Sequence, residues 1–474
     1  MLTSELVFIP SPGAGHLPPT VELAKLLLHR DQRLSVTIIV MNLPLGGKHN
    51  TETTRPRLRF INIPWDDSSM ALISPKTFLL AFVEHHKPRV RDIVRGITES
   101  DSVRLAGFVV DMFCMAMTDV ANEFGAPTYT YFTSSAATLG LMFYLQAKRD
   151  QEGYDVTELK NSDSELSVPS YVNPLPAKVL PEVVLDKEGG NKMFLDLAKS
   201  FRETKGIIVN TFQELETHGL HYLISNNNQE IPPVFAVGPI LNFENKKDDT
   251  KDDEIMSWLD EQPKSSVVFL CFGSMGSFNE EQVKEIAVAI ERSGHRFLWS
   301  LRRPAPKEKI EYPTEYENLE EVLPEGFLER TSSVGKVIGW APQMAVLSHP
   351  SVGGFVSHCG WNSTLESVWC GVPIAAWPLY AEQQLNAFEV VVELGMAAEI
   401  RLDYRTDMRE MGGGSGMVVT AEEIEEGIRK LMSDGEMRKK VKDMKEKSRA
   451  AVVEGGSSHT SIGNFIDTLV NVTI

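Results

Sequence analysis

The sequence predicts an α/β protein made of two Rossmann-like domains, and three observations support this fold class. Short apolar segments alternate with amphipathic helical patterns, as they do in parallel, doubly wound sheets. The alternation stops at a polar, charged segment near the middle of the chain and then begins again. At 474 residues, the chain is long for a single domain, which typically has roughly 100–200 residues. We therefore expect two domains, each with its own hydrophobic core.

Six candidate strands lie in the first half of the chain. Each is an apolar run bounded by polar or turn-forming residues, the pattern of a strand buried on both faces. The runs span residues 6–10, 35–41, 59–64, 106–111, 128–132 and 206–210. Helical patterns lie between them, for example at 20–30 and 134–148. This half therefore predicts one parallel sheet.

Six further apolar runs repeat the plan in the second half. They span residues 267–272, 297–301, 337–340, 354–357, 374–377 and 398–402. An amphipathic pattern at 279–293 predicts a helix between the first two of them. We expect a second parallel sheet here.

The polar segment 242–254, NFENKKDDTKDDE, has little to bury, so we interpret it as the interdomain linker. It separates a first domain, residues 1–241, from a second, residues 255–457. Segment 302–321 is rich in proline and glutamate, and segment 403–416 is rich in glycine. Both are interpreted as exposed insertions.

Charge and composition restrict the function. A net charge of −18 argues against nucleic-acid binding, which needs a basic face. No run approaches about 18 apolar residues, and no signal segment precedes the first strand, so we expect no membrane span. The four cysteines lie in or beside apolar runs without a C-x-x-C pair, which favours buried free thiols in a reducing compartment. We expect a cytoplasmic monomer.

Residues 340–383 form the most informative segment. Within it, HCGWNSTLE begins at His358 and combines a strand end, a turn and a helix start. Asn362 or Ser363 can cap the helix, whose free N–H groups and dipole favour an anion such as phosphate. Gly360 lets the backbone approach a ligand closely. The alternative is an ordinary βαβ unit with a capped helix.

From Trp340 to Gln383, this segment resembles, end to end, the PSPG box of the plant family 1 UDP-glycosyltransferases. The resemblance implies a fold of the GT-B type, in which two Rossmann-like domains face each other across a cleft. It also implies transfer of a sugar from a UDP-sugar to a small acceptor. The final segment, 458–474, is then expected to pack back on the first domain.

For the uridine, Trp340 precedes a proline at a predicted strand end, where an indole can stack on a uracil. A core tryptophan is the alternative. Gln343 has the donor and acceptor that a uracil edge requires, and the resemblance adds the Ala341 backbone. Glu366, one turn into the helix, can accept hydrogen bonds from ribose hydroxyls; a surface glutamate is the alternative.

For the diphosphate, the resemblance points to His358, Asn362 and Ser363. Ser274 joins them from CFGSMGS, a second Gly–Ser turn that follows an apolar strand. No D-x-D pair is present to hold a metal, so fixed donors and helix dipoles must neutralise the leaving group, and we expect no metal. The absence of G-x-G-x-x-G disfavours a nicotinamide or flavin oxidoreductase, the alternative enzyme class.

For the sugar, the resemblance points to Glu382 and Gln383, with help from the Trp361 backbone. Many family members have aspartate where this chain has Glu382. Glutamine at the last box position is associated with glucose donors, which favours UDP-glucose, although another UDP-hexose or UDP-xylose stays open. Thr133, at another predicted strand end, is a further candidate for sugar contact.

The candidate catalytic pair lies in the first half. His16 stands in the loop SPGAGHLPP, between the first strand and the first helix, where open α/β sheets bind ligands. Asp111 ends a strand and can orient the ring, which makes the other nitrogen a base. His16 and Asp111 resemble the catalytic dyad of the family. A surface histidine, and hence an inactive nucleotide-sugar binder, is the alternative.

The acceptor is the least defined part of the function. Apolar residues of the first half that can line its pocket are Phe82, Met112, Phe113 and Met142. Such a lining suits a phenolic, such as a flavonoid or stilbene, or a terpenoid. Each of these residues can equally belong to the core. The leading hypothesis is an inverting UDP-glucose-dependent O-glucosyltransferase.

Overall fold

The computed structural model describes residues 3–13, 15–43, 56–65, 78–99, 103–225, 231–243, 249–306, 311–405 and 417–470. Strands of the first half are β1 (Thr3–Ile9), β2 (Leu34–Met41), β3 (Leu58–Ile63), β4 (Val103–Asp111), β5 (Thr128–Phe132), β6 (Glu165–Leu166), β7 (Leu175–Pro176), β8 (Gly206–Val209) and β9 (Val234–Ala236). Strands β6 and β7 form a small antiparallel pair, and the other seven form a parallel sheet in the order β3-β2-β1-β4-β5-β8-β9.

Strands of the second half are β10 (Val267–Cys271), β11 (Arg296–Ser300), β12 (Gly335–Ile338), β13 (Val352–Ser357), β14 (Ile374–Ala376) and β15 (Ala397–Glu399). They form a parallel sheet in the order β12-β11-β10-β13-β14-β15. In both sheets, the chain winds outward to one edge and then crosses to the other. The crossing points lie between β1 and β4 and between β10 and β13, where open α/β sheets bind ligands. The predicted pair of Rossmann-like domains is confirmed.

The described helices are α1 (Leu17–Arg30), α2 (Phe78–Thr98), α3 (Thr118–Glu123), α4 (Ala136–Glu152), α5 (Glu182–Leu185), α6 (Gly190–Arg202), α7 (Thr217–Ser225), α8 (Asp249–Asp260), α9 (Glu280–Ser293), α10 (Phe327–Thr331), α11 (Gln343–Ser348), α12 (Trp361–Cys370), α13 (Gln383–Phe388), α14 (Ala421–Ser433), α15 (Gly435–Val452) and α16 (Ser457–Val470). A π-helical turn, Glu389–Glu393, follows α13. Within the part of the chain that the structure describes, no helix is both long and apolar enough to cross a bilayer.

Helices cover both faces of the first sheet, which explains why its central strands are apolar at consecutive positions. Successive residues of a strand point to opposite faces. Phe8 accordingly packs in a cluster with residues of α1 and α16, whereas Val7 packs in a cluster with residues of α2 and α4. The final helix α16 inserts Phe465 against Tyr129 and Phe235, at ring-centroid distances of 5.1 and 5.3 Å. The C-terminal helix thus lies on the first domain.

The predicted linker is partly wrong. Helix α8 begins at Asp249 and therefore includes the second half of segment 242–254; residues 244–248 lie outside the described part. The acidic residues 252–254 stand near the start of the helix, where negative charge interacts favourably with the dipole. Ile255 and Leu259 behind them are buried. We propose that the boundary between the two domains lies between β9 and α8.

Direct contacts join the two domains. The Trp361 indole nitrogen donates to the Asn210 carbonyl at 2.7 Å. The Glu393 carboxylate, in the π-helical turn, accepts from the Val172 and Asn173 backbone N–H groups at 2.7 and 2.9 Å. The first of these bonds joins the carboxyl ends of the two sheets, because Asn210 directly follows β8 and Trp361 lies just beyond β13.

Candidate active site

His16 and Asp111 meet at the crossing point of the first sheet. Asp111 is the last residue of β4, and His16 precedes α1, which follows β1. The His16 Nδ1 atom lies 2.8 Å from Asp111 Oδ2. The other carboxylate oxygen, Oδ1, accepts from the Phe113 N–H at 3.0 Å. Asp111 is 1% exposed, so it is a fixed, buried partner for the ring.

The arrangement determines which ring nitrogen is basic. A carboxylate only accepts hydrogen bonds, so Nδ1 carries the proton and donates it to Asp111. The lone pair is then on Nε2. Burial lowers the pKa of His16, but the charge of Asp111 and its hydrogen bond outweigh burial, and the charge of Glu382 adds to them. The pKa of His16 therefore lies above its ordinary value of 6.5.

Thr133 and Phe113 complete the surroundings of His16. The Thr133 hydroxyl oxygen lies 3.2 Å from His16 Nδ1, and Thr133 is 7% exposed. The Phe113 ring meets the imidazole edge-on, with centroids 5.5 Å apart. Both residues follow strand ends, so the carboxyl edge of the first sheet brings together the residues that the sequence proposed separately.

His358 occupies the equivalent crossing point of the second sheet. It follows β13, and Gly273 follows the neighbouring strand β10. A Cβ atom at Gly273 would lie 2.4 Å from His358 Nε2, and one at Gly360 would lie 2.6 Å from the same atom. Both glycines are therefore needed for the ring to fit. His358 is 6% exposed, and its Nδ1 has no hydrogen-bond partner among the described residues.

The predicted side-chain cap of the following helix is wrong. Helix α12 begins at Trp361, and Gly360 takes the N-cap position that the sequence assigned to Asn362 or Ser363. The close approach of His358 leaves no room for a larger residue than Gly360. Glycine has no side chain to cap the first N–H groups. The first N–H groups of this helix therefore have no side-chain cap, as the predicted anion site requires.

Asn362 and Ser363 have other partners. The Asn362 amide donates to the Gly15 carbonyl at 2.8 Å, a contact between the second domain and the residue before His16. The Asn362 Oδ1 atom is buried without a described partner. The Ser363 hydroxyl accepts from the Gln343 amide at 2.8 Å. The structure therefore connects the predicted phosphate turn directly to the loop that carries His16.

The residues predicted for uridine lie after β12 and in helices α11 and α12. Trp340 is 59% exposed, which contradicts the core alternative, while Ala341 is buried. Trp340 lies two residues beyond β12, not inside the strand. The Gln343 amide also donates to the Glu366 carboxylate at 2.6 Å. Burial, only partly offset by this hydrogen bond, raises the pKa of Glu366 to about 7.

The residues predicted for the sugar lie around the start of α13. Glu382 is its N-cap residue and is half-buried. Gln383 is 4% exposed. Its side-chain amide oxygen, Oε1, accepts from the Leu379 and Tyr380 backbone N–H groups at 2.9 and 3.1 Å. Glu382 is close enough to His16 for its charge to raise the pKa of the ring. Glu382 of the second domain therefore faces His16 of the first.

Two of the four candidate acceptor residues are core residues. Phe82 and Met142 are 0% and 2% exposed and belong to the core of the first domain. Phe113 is half-buried beside His16, and Met112, at 9% exposure, follows Asp111. Of the four, only Phe113 and Met112 lie next to the predicted catalytic pair.

Sequence reasoning missed Arg302 and placed it in an exposed insertion. It is 5% exposed, and its guanidinium donates to carbonyls of the turn after β10. The sequence held the same signal for Arg302 as for His16 and Asp111, namely a position just after or at the end of an apolar strand. For Arg302 that strand is β11.

Other chemistry is not evident at the described residues. They include no group of three or more histidine, cysteine, aspartate or glutamate side chains arranged to hold a metal. Cys114, Cys271 and Cys359 are buried free thiols, as predicted, whereas Cys370 is only partly buried. Burial raises the pKa of each of these four thiols.

Two facing Rossmann-like domains, with a His–Asp pair on one and an uncapped helix start on the other, form the arrangement of a glycosyltransferase of the GT-B class. A family model for UDP-glucoronosyl and UDP-glucosyl transferases matches residues 213–411. UDP-glycosyltransferase 71E1 of Stevia rebaudiana is 82% identical to this chain over 476 residues, which cover 100% of both chains. The chain belongs to the plant family 1 UDP-glycosyltransferases.

Two further similarities extend over nearly the full length. UDP-glucose flavonoid 3-O-glucosyltransferase 6 of Fragaria ananassa is 54% identical over 486 residues, which cover 98% of both chains. The crystal structure of UGT71G1 from Medicago truncatula, complexed with UDP-glucose, has a TM-score of 0.86 and 43% identity, again covering 98% of both chains. The fold described above is therefore that of known UDP-glycosyltransferases.

Replacing Gly273 tests the fit of His358. Gly273 has φ +74°, so Gly273→Ala introduces backbone strain of about 1–2 kcal/mol and also a methyl group 2.4 Å from His358 Nε2. We expect UDP affinity, measured by calorimetry, to fall about tenfold or more, because a hydrogen bond to a charged group contributes about 1.5–3 kcal/mol. Gly294, with φ +71° and open space around it, is the matched control. Gly294→Ala should bind UDP normally; equal affinities of the two variants would contradict the assignment.

Proposed function

We propose that this protein is an inverting UDP-glucose-dependent O-glucosyltransferase that acts on a hydroxyl of a small lipophilic plant metabolite. The observation that carries the proposal is the meeting of two groups across the cleft. His16, paired with Asp111 at 2.8 Å, belongs to the first domain, and the Glu382 charge that acts on it belongs to the second. This proximity supports roles for His16 as the base and for Glu382 as a sugar-binding group.

The donor is UDP-glucose. Trp340 stacks on the uracil, Gln343 and the Ala341 backbone contact its edge, and Glu366 accepts from the ribose hydroxyls. His358, Asn362, Ser363 and Ser274 bind the diphosphate together with the uncapped start of α12. Support comes from the His358 Nδ1 and Asn362 Oδ1 atoms, which are buried without a hydrogen-bond partner among the described residues, whereas buried polar atoms usually have one. The name of the Fragaria relative and the ligand of the Medicago structure favour glucose as the sugar.

Glu382 and Gln383 bind the glucose hydroxyls, with the Trp361 backbone and Thr133 beside them. Because the Gln383 oxygen already accepts from two backbone N–H groups, its amide hydrogens are the part assigned to the sugar. The amide then donates to a glucose hydroxyl, while Glu382 accepts from one. This division of roles is sharper than the one that the sequence suggested.

The reaction follows from the position of the base. Nε2 of His16 removes the proton from the acceptor hydroxyl, and the oxygen attacks the anomeric carbon as the bond to the diphosphate breaks. The proton remains on His16, and UDP leaves with the electron pair of the broken bond. Asp111 stabilises the imidazolium that forms. Attack from the side opposite UDP inverts the configuration from α to β. Neutralisation of the leaving group relies on fixed donors and a helix dipole, and requires no metal.

The acceptor is a phenolic, such as a flavonoid or stilbene. Phe113 and Met112 supply an apolar surface next to His16, and aromatic edges suit a flat ring. The Fragaria relative is named for a flavonoid acceptor. A terpenoid is the second candidate, since the same apolar surface accommodates it. The cytoplasm is the proposed location, and a monomer the proposed state.

A panel assay tests the function. We expect wild-type protein with UDP-glucose to add one hexose to flavonoids or stilbenes, as read by product mass, and to do so equally well with excess chelator. UDP-galactose and UDP-xylose should be poorer donors. Transfer to terpenoids but not to phenolics would show that the acceptor is a terpenoid and not a phenolic. UDP binding without transfer to any member of the panel would support the inactive binder instead.

A further inference from the structure

Arg302 is a buried cation at the carboxyl end of the second sheet. It lies two residues beyond the end of β11 and is 5% exposed, whereas the neighbouring Arg303 is exposed. Burying a guanidinium is costly unless its N–H groups are hydrogen-bonded. A buried arginine at a ligand-binding edge therefore requires an explanation.

The contacts of Arg302 connect two parts of the donor site. Its Nη1 donates to the Ser274 carbonyl at 2.7 Å, and its Nη2 donates to the Gly276 carbonyl at 3.1 Å and to the Gly273 carbonyl. These three carbonyls form the Gly–Ser turn after β10. The guanidinium carbon also lies 5.4 Å from the centroid of the Trp340 ring, a cation–π distance. One side chain thus supports both the turn assigned to the diphosphate and the indole assigned to uracil.

The charge of Arg302 is not balanced by a nearby acid. All of its hydrogen bonds go to neutral carbonyls, and no ion pair joins it to a carboxylate of the described residues. Its positive charge acts on the same corner of the site as His358. Burial, and then this charge, lower the pKa of His358 to about 3, so the imidazole stays neutral. The chain as a whole has a net charge of −18, which repels anions. Because His358 is neutral, Arg302 supplies positive charge to an anion bound at this corner of the site.

On the basis of the UDP-sugar donor proposed above, we propose that Arg302 is a positioning residue for the diphosphate. Its planar fork holds the turn of Gly273, Ser274 and Gly276 in place, and its charge favours the two phosphates over water. Lysine has the positive charge but lacks the planar set of N–H donors. Arg302→Lys therefore separates the effect of the charge from that of the hydrogen bonds to the turn.

The test compares calorimetric affinities for UDP and for uridine, which lacks the phosphates. In Arg302→Met, we expect UDP affinity to fall about 10- to 100-fold, the range for losing a charged hydrogen-bonding group. Uridine affinity should fall less, by about fivefold at most, because a neutral ligand loses only the support that Arg302 gives to the Trp340 ring. Arg302→Lys should stay within about tenfold of wild type for UDP. Arg303→Met, which removes an exposed neighbouring charge, is the matched control and should bind both ligands normally.

Equal losses of UDP and uridine in a folded Arg302→Met variant would overturn the inference and leave Arg302 a structural residue. Unchanged UDP affinity would overturn it as well. If Arg302→Met does not fold, Arg302→Lys decides: UDP must lose more affinity than uridine, and equal losses contradict the inference. Wild-type protein that binds no UDP would instead contradict the proposed function, so the two failures are distinguishable.

Discussion

Replacing His16 with alanine is expected to lower the rate of glucose transfer by about 10²- to 10⁴-fold, the usual contribution of a general base. The reason is geometric. Nδ1 of His16 is held by Asp111 at 2.8 Å, so Nε2 carries the lone pair that removes the acceptor proton. UDP affinity should change little, because the phosphate and uridine residues belong to the other domain. Initial rates at saturating UDP-glucose, with calorimetry for UDP, measure both.

His29→Ala is the matched control for this variant. His29 is exposed in the last turn of α1, whereas His16 stands at the start of the same helix. The control should transfer glucose at the wild-type rate. A His16→Ala variant that retains full activity, or one that loses UDP affinity as strongly as rate, would show that His16 is not the base.

The second large effect is expected at Asp111. In Asp111→Asn, the amide oxygen can still accept from the Phe113 N–H, which turns the amide nitrogen toward His16. The amide then donates to Nδ1, so the ring proton moves to Nε2 and the base is lost in the prevailing tautomer. We expect the rate to fall about 10- to 100-fold, as for the loss of one charge-assisted hydrogen bond.

The pH profile separates this effect from a structural one. The rate requires unprotonated His16, so wild-type activity falls as the pH decreases through the pKa of His16, which lies above 6.5. Removing the Asp111 charge removes the main cause that raises this pKa, so the acid limb of Asp111→Asn should move to lower pH. An unchanged acid limb would contradict the pairing. Asp119→Asn, at a largely exposed carboxylate, is the control and should leave the profile unchanged.

Much of this site can be predicted from the sequence with one structural rule. Ligands bind at the carboxyl ends of parallel strands, and apolar runs mark those strands. His16, Asp111 and His358 each stand next to such a run, so their grouping was predictable once the sheets were placed. The short strand β9 was not predicted, because its three residues give too little pattern.

The rest depends on tertiary contacts that local pattern does not contain. Arg302 opens a segment rich in proline and glutamate, and only the carbonyls of a turn 26 to 29 residues earlier explain its burial. The local sequence predicts Asn362 as a helix cap. Its side-chain amide instead donates a hydrogen bond to the carbonyl of Gly15, 347 residues away in the sequence. Gly360 occupies the N-cap position because His358 packs so closely against it that no larger residue fits. Close packing between distant segments decided each of these cases.

The configuration of the product tests the central claim most directly. In-line attack by an acceptor activated by His16, on the face of the sugar opposite UDP, converts the α-linked donor to a β-glucoside. Proton NMR of the product from wild-type protein, UDP-glucose and a phenolic acceptor should show the β anomer alone. An α-linked product would contradict the single-displacement mechanism and the placement of His16 as its base.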